Sequence, residues 1–195
     1  MIKKYGFFGF IKLIFSLIYS KLFFKNVRVI RLPVDIRNKS QINFGINLTT
    51  GVGCRLEAYS SDNKVCLHIG RNVQMNDFVH ITAMEHVEIQ DNVLLASKIY
   101  ISDCLHGSYL GNENDSNPNS LPAERPLSSK PVIIKENVWI GEFVSILPGV
   151  TIGRGTIVGA NSVVSKDLPD YVIAVGIPAK PIKKFNFQNN RWEKI

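Results

Sequence analysis

The sequence predicts an all-β fold, a parallel β-helix of six-residue repeats with an N-terminal amphipathic helical segment, a long excursion loop and a C-terminal cap. Three observations predict it. From residue 134 onward, aliphatic residues recur every six positions at Ile134, Ile140, Ile146, Ile152, Val158 and Val164. The fourth residue after each is mostly small: Val138, Val144, Val150, Thr156, Ser162 and Leu168. Pro148, Gly149 and the density of β-branched residues exclude a continuous helix. A period of six suits a very short strand followed by a tight bend. Such units bury an apolar face only by stacking, at about 4.8 Å per rung.

The elements follow in chain order. Residues 1–40 carry nine Lys or Arg (Lys3, Lys4, Lys12, Lys21, Lys25, Arg28, Arg31, Arg37 and Lys39) against Asp35 alone, a net +8. The rest of the chain nets −1. Within this segment residues 5–24 are the most apolar stretch, interrupted by Lys12 and Lys21. A spanning helix wants roughly 20 apolar residues with few or no charges, so the stretch is not assigned as transmembrane. No small-residue cleavage site follows it to suggest a signal peptide. Two readings stand open: a helix packed on the main domain, or one lying at a membrane interface.

The repeat domain is expected over 41–168. Its first runs are Ile42, Leu48 and Cys54, then Ile69, Met75 and Ile81, then Ile89, Leu95 and Ile101. The step of eight from Ile81 to Ile89 implies a bulge near Glu85 and His86. Between Ile101 and Ile134, residues 106–131 are rich in Gly, Asn and Pro and read as a long excursion from the coil. Loops of that length are usually functional or disordered. Residues 169–195, with Pro169, Pro178, Pro181, Phe185, Phe187 and Trp192, are expected to cap the open end.

Composition narrows the function. The basic charge sits in the N-terminal segment, so the folded domain lacks the basic face of a nucleic-acid binder. Three cysteines (Cys54, Cys66 and Cys104) at no metal-ligand spacing fit a reducing compartment, and the expected location is cytoplasmic, with the membrane's inner face as an option.

The blocks Ile134-Lys-Glu-Asn-Val-Trp-Ile-Gly-Glu, Ile146-Leu-Pro-Gly-Val-Thr-Ile-Gly, Val158-Gly-Ala-Asn-Ser-Val-Val-Ser-Lys-Asp-Leu-Pro and Ala174-Val-Gly-Ile-Pro-Ala-Lys resemble the hexapeptide-repeat acyltransferases. Within them the chain is similar to the galactoside, maltose and lipopolysaccharide O-acetyltransferases. The resemblance spans roughly residues 40–184, and the basic, aromatic-rich start is most similar to the lipopolysaccharide-biosynthesis members. It implies a left-handed β-helix, an exception to the right-handed crossover rule. It also implies a homotrimer with active sites between subunits, acetyl-CoA as donor and a sugar or glycan acceptor, lipid-linked or free.

The same resemblance assigns residues. His106, at the mouth of the excursion, matches the catalytic histidine. An imidazole titrates near neutral pH and can take the acceptor hydroxyl's proton. Asp103 is a candidate to orient that ring. Asn76 matches an acceptor-contacting asparagine; as a bland alternative it is a coil-corner residue. The family's acceptor-binding carboxylate falls at Met84, which cannot play that part. Trp139 matches an aromatic placed beside the histidine. Glu142, Ala160, Ser165, Lys166, Lys180 and Lys183 fall at CoA-binding positions, although Glu142 departs from the family's small polar residue. Lysines can meet phosphates as point charges. Cys104 is read as structural, giving direct transfer without an acetyl-cysteine.

Three rivals remain at this level: an antibiotic acetyltransferase of the same fold, a non-catalytic β-helix scaffold, and a zinc enzyme like the gamma-class carbonic anhydrases. The spacings of His68, His80, His86 and His106 do not match that class, and no metal is expected.

Overall fold

The computed structural model describes residues 2–195, which form a helix followed by a parallel β-helix with three faces. The first face stacks Ile42–Asn43, Leu67–Ile69, Val87–Ile89, Val132–Ile134 and Thr151–Ile152. The second stacks Gln74–Met75, Leu94–Leu95, Trp139–Ile140, Ile157–Val158 and Val172–Gly176. The third stacks Val34–Arg37, Cys54–Ala58, His80–Ala83, Tyr100–Ser102, Ser145–Ile146 and Val163–Val164. All of these strand pairs are parallel.

The hexads map onto this geometry without slippage. Every leading residue named above, from Ile42 to Val164, is buried, and so are the small residues four places later. Residues of one phase therefore meet on the axis as columns: Ile81, Ile101, Ile146 and Val164 occupy successive rungs of the third face. The corners explain the asparagines. Asn47, Asn72, Asn92 and Asn137 all adopt the left-handed conformation, which asparagine tolerates better than most residues. Their amides form a ladder, Asn47 to Asn72 at 3.2 Å, Asn72 to Asn92 at 3.0 Å and Asn92 to Asn137 at 3.3 Å.

A solenoid leaves unpaired backbone groups at both ends, where no further rung exists. Buried hydroxyls meet them. At the C-terminal end Thr156 Oγ1 donates to the Pro169 carbonyl at 2.7 Å, and Ser162 Oγ accepts the Gly176 N–H at 3.0 Å. At the N-terminal end Ser20 Oγ accepts the Ile30 N–H at 2.7 Å, and Ser16 Oγ accepts the Leu32 N–H at 3.1 Å. The tail caps by extension: Ala179–Asn186 and Arg191–Lys194 add antiparallel strands to the second face. Phe185 packs edge-on against Phe187 and Trp192.

Two expectations need correction. The helix, Ile2–Phe23, is not amphipathic in the expected sense. It meets the β-helix through serines and Leu13 and turns most of its large apolar residues outward, with Phe8 78% and Leu22 72% exposed. Its stretch Tyr5–Phe23 is long and apolar enough to cross a membrane by length and composition, despite Lys12 and Lys21. The excursion is also less irregular than its composition suggests. It leaves the coil at Asp103, and its ends pair as an antiparallel hairpin, Cys104–His106 with Leu127–Ser129.

Candidate active site

The site residues fall on two edges of the prism. One edge runs where the chain turns from the second face to the third. There the backbone N–H groups of Asn76, Ala96, Gly141 and Gly159 donate in succession to Leu95, Ile140, Val158 and Ala174. Asn76, Glu142 and Ala160 lie along this edge with exposed side chains, and Trp139 stands just before it on the second face. The rungs are closely stacked here. A Cβ on Gly141 would come within 2.6 Å of the Ala160 nitrogen, so main chain is presented along the groove. Lys180 pairs with Val175 and Lys183 with Ile173, which brings both lysines to the C-terminal end of the same face.

The other edge runs from the third face back to the first. Ile146 pairs with both Ile101 and Val164, so Ser102, Leu147 and Ser165 occupy consecutive rungs. His106 leaves from the Ser102 rung, and Ser165 and Lys166 sit two rungs above it. Lys166, Lys180 and Lys183 join no ion pair among the described residues. Uncompensated cations, Lys166 on this edge and Lys180 and Lys183 at the end of the second face, suit the phosphates of a nucleotide.

His106 is held by its backbone, with an exposed ring. Its strand pairs with Leu127, and the Tyr109 hydroxyl donates to its carbonyl at 2.6 Å. Arg125 in turn donates to the Tyr109 oxygen at 2.8 Å and gathers Ser120 and Pro118. This clamp fixes the excursion around the histidine. Sequence reasoning missed it, because a lone Arg in a Gly/Asn/Pro-rich loop carries no spacing signal.

Asp103 does not orient His106. Its carboxylate is fully buried and turned the other way, accepting N–H groups from Met84 (2.9 and 3.0 Å), Glu85 (2.8 Å) and His86 (2.8 Å). The eight-residue step seen in the sequence creates a corner with unpaired donors, and Asp103 satisfies them. Its own carbonyl accepts the Lys130 N–H at 2.8 Å, so it also marks where the excursion returns.

Asn76 gains from the structure. The left-handed corner on its rung is Phe78, and Asn76 itself has no positive φ. The backbone therefore makes no demand for asparagine there, and its exposed amide is available. Cys104 places its sulfur 3.4 Å from the Ser102 hydroxyl. Cys54 and Cys66 are buried, and burial pushes both thiols up, away from nucleophilic reactivity.

Two further features were not singled out from sequence. Leu94 and Ile157 flank Trp139 on the outer surface of the second face, forming an apolar strip beside the first edge. Their signal was the outward hexad position they share with Trp139. On the third face Glu57 is almost fully buried between Arg37 (2.8 Å), Arg55 (2.6 Å), His80 (2.9 Å) and Tyr59 (2.9 Å). Burial alone would raise its pKa, but the hydrogen bonds from His80, Arg55 and Tyr59 and the Arg55 charge outweigh it and bring it to about 2. The histidines are dispersed: His80 engages Glu57, and His68 stacks with His86 at 5.0 Å. Among the described residues no three His, Cys, Asp or Glu side chains gather as a metal site.

Within one chain the two edges do not meet. Trp139 lies on the second face, and His106 projects from the edge opposite it. Of the residues that the resemblance places together in one site, Trp139 is thus on the face opposite His106, and Asn76, Glu142 and Ala160 lie on a different edge from it.

A β-helix of hexads whose edges carry a histidine, exposed main chain and free lysines has the make-up of a hexapeptide acyltransferase. The comparisons agree. The family described as bacterial transferase hexapeptide (six repeats) matches residues 131–166. WbbJ of Escherichia coli (strain K12), which carries the name of a lipopolysaccharide biosynthesis O-acetyl transferase, is 45% identical over 98% of this chain and 96% of its own length. The galactoside O-acetyltransferase of the same organism is 36% identical over 65% of this chain and 58% of its own length. Among solved structures, AntD, an N-acyltransferase from Bacillus cereus in complex with dTDP-4-amino-4,6-dideoxyglucose and coenzyme A, superposes with a TM-score of 0.68 at 27% identity, covering 85% of this chain and 84% of that one. A galactoside acetyltransferase in complex with coenzyme A gives 0.53 at 35% identity, covering 72% of this chain and 66% of that one. The chain belongs to the hexapeptide-repeat acetyltransferase family.

Proposed function

We propose that the protein transfers an acetyl group from acetyl-CoA to a sugar hydroxyl of a bacterial surface polysaccharide or its precursor. It acts in the cytoplasm as a homotrimer. The observation that carries this reading is the division of site residues between two different edges, with Trp139 on the face opposite the edge that bears His106. Asn76, Trp139, Glu142 and Ala160 on one edge can meet His106, Ser165 and Lys166 only across subunits, so the site is complete only in an assembly. A closed ring satisfies both edges of every subunit with one repeated contact.

The residues then divide the work. Lys166, Lys180 and Lys183 meet the CoA phosphates, and the close-stacked edge at Gly141 and Ala160 offers main-chain groups to the extended arm. His106 accepts the proton of the acceptor hydroxyl as its oxygen bonds to the thioester carbonyl carbon. The C–S bond breaks, and the imidazolium returns the proton to the departing thiolate. Alignment supplies much of the rate, because the thioester is already activated. The 45% identity to WbbJ along nearly its whole length supports a surface-polysaccharide acceptor, and Met84 at the family's acceptor-carboxylate position supports a different mode of holding it from that of galactosides.

A panel of nucleotide sugars and glycans incubated with acetyl-CoA, with free thiol release followed, tests the reading. Products should gain an acetyl group that mild alkali removes. An alkali-stable product would indicate an amide and an amino-sugar acceptor. Absence of acceptor-dependent thiol release across the panel would count against the acetyl-transfer reading.

A further inference from the structure

We propose that the outward side of the N-terminal helix is a docking surface for the anionic face of a lipid bilayer, with the helix lying along that surface. The helix is inverted relative to an ordinary surface helix, which turns its apolar stripe to the protein. Here Ser16 and Ser20 face the β-helix and bond to the first-coil N–H groups. Facing away are Phe7, Phe8, Phe15, Ile18 and Leu22, exposed by 63, 78, 62, 50 and 72%. Phe7, Ile14, Ile18 and Leu22 follow helical spacing, and Phe8, Phe15 and Leu22 recur every seven residues, so the exposure is one continuous stripe. A contiguous apolar surface of this kind marks an interaction site.

The charge chooses the occupant. Lys3, Lys12, Lys21, Lys25 and Arg28 are exposed around the stripe. None of the five joins an ion pair among the described residues. The segment's one acid, Asp35, is engaged by Arg37 at 2.9 Å. A second copy would bring the same cations together, whereas anionic headgroups complement them and acyl chains receive the apolar stripe. The serine bonds tie the second half of the helix to the β-helix, which is incompatible with threading roughly 20 residues across a bilayer.

The placement has a consequence that rests on the acetyl-transfer reading. His106 departs from the third rung after Val34–Arg37, about 15 Å along the axis from the helix-bearing end at the usual strand spacing. That height suits an acceptor glycan attached to a lipid in the same surface.

Flotation of the full chain with phosphatidylcholine vesicles, with and without phosphatidylglycerol, tests the proposal without any turnover, so its failure is separable from failure of the catalytic reading. The chain should float with the anionic vesicles, and much less at high salt or on phosphatidylcholine alone. The Phe8→Gln/Ile18→Gln/Leu22→Gln variant should lose at least tenfold in partitioning while keeping its melting temperature and oligomeric state. Lys21→Glu/Lys25→Glu should weaken binding to anionic vesicles selectively. Unchanged flotation of the triple variant would overturn the proposal. So would a change in oligomeric state, which would make the stripe a contact between copies, or equal binding to neutral vesicles.

Discussion

Replacing Asp103 by Asn separates two roles that sequence proximity to His106 confounds. The carboxylate is fully buried and accepts four contacts of 2.8–3.0 Å from three consecutive N–H groups at Met84, Glu85 and His86. Hydrogen bonds to a charged group contribute about 1.5–3 kcal/mol each, and a buried donor left without a partner costs about 1–3 kcal/mol. Asparagine keeps one acceptor oxygen and turns an NH2 toward the remaining donor. The expected destabilisation is therefore about 3 kcal/mol, and about 4–5 kcal/mol for Asp103→Ala. For a domain of this size that lowers Tm by roughly 6–12 °C in the Asn variant. Calorimetry gives the shift, and the pH dependence of kcat/KM well below Tm gives the catalytic role. A positioning partner of the base would lower kcat by orders of magnitude and move the acid limb when mutated. The corner-holding role leaves kcat within about threefold and the limb in place. A variant that melts like the parent, or one whose acid limb shifts, would refute this assignment.

Four further outcomes are expected. His106→Ala should lower kcat by about 10²- to 10⁴-fold with CoA affinity retained by titration calorimetry; near-normal turnover would displace the histidine from the mechanism. Lys166→Ala or Lys180→Ala should raise the Kd for acetyl-CoA with little effect on acceptor KM, and unchanged affinity in both would place the donor elsewhere. Mixing unfolded His106→Ala and Trp139→Ala chains and refolding them together should restore activity at about a quarter of the sites, because each variant supplies the edge the other lacks; no recovery would argue for a site within one chain. Glu57, with a folded pKa of about 2 against an ordinary 4.5, stabilises the fold above pH 4.5 and loses that contribution as pH falls toward 2. The 2.5-unit gap corresponds to about 3 kcal/mol, so Glu57→Gln should melt lower at pH 7 and show a flatter acid limb of stability.

The repeat column was legible because burial on a solenoid axis is a one-dimensional rule: each inward position needs an aliphatic or small side chain every six residues, and the chain obeys it without a break from Ile134 to Val164 and in shorter runs from Ile42 to Ile101. The corner asparagines Asn47, Asn72, Asn92 and Asn137 emerged only with the backbone, while Asn76, the one asparagine read as a coil corner, has no positive φ. His106 and the lysines are assigned through motif order, which the sequence carries whole. What the sequence could not decide was direction. Asp103 stands three residues from His106, yet its carboxylate turns to a corner 17–19 residues away, because three unpaired N–H groups there outweigh proximity along the chain. The helix at the N-terminus has an apolar composition that leaves its inward side undetermined; the open first rung decided it, where Ser20 satisfies the Ile30 N–H and Ser16 the Leu32 N–H. The separation of Trp139 from His106 likewise emerges only when the coil closes into three faces, for a prism puts a face and its opposite edge out of each other's reach.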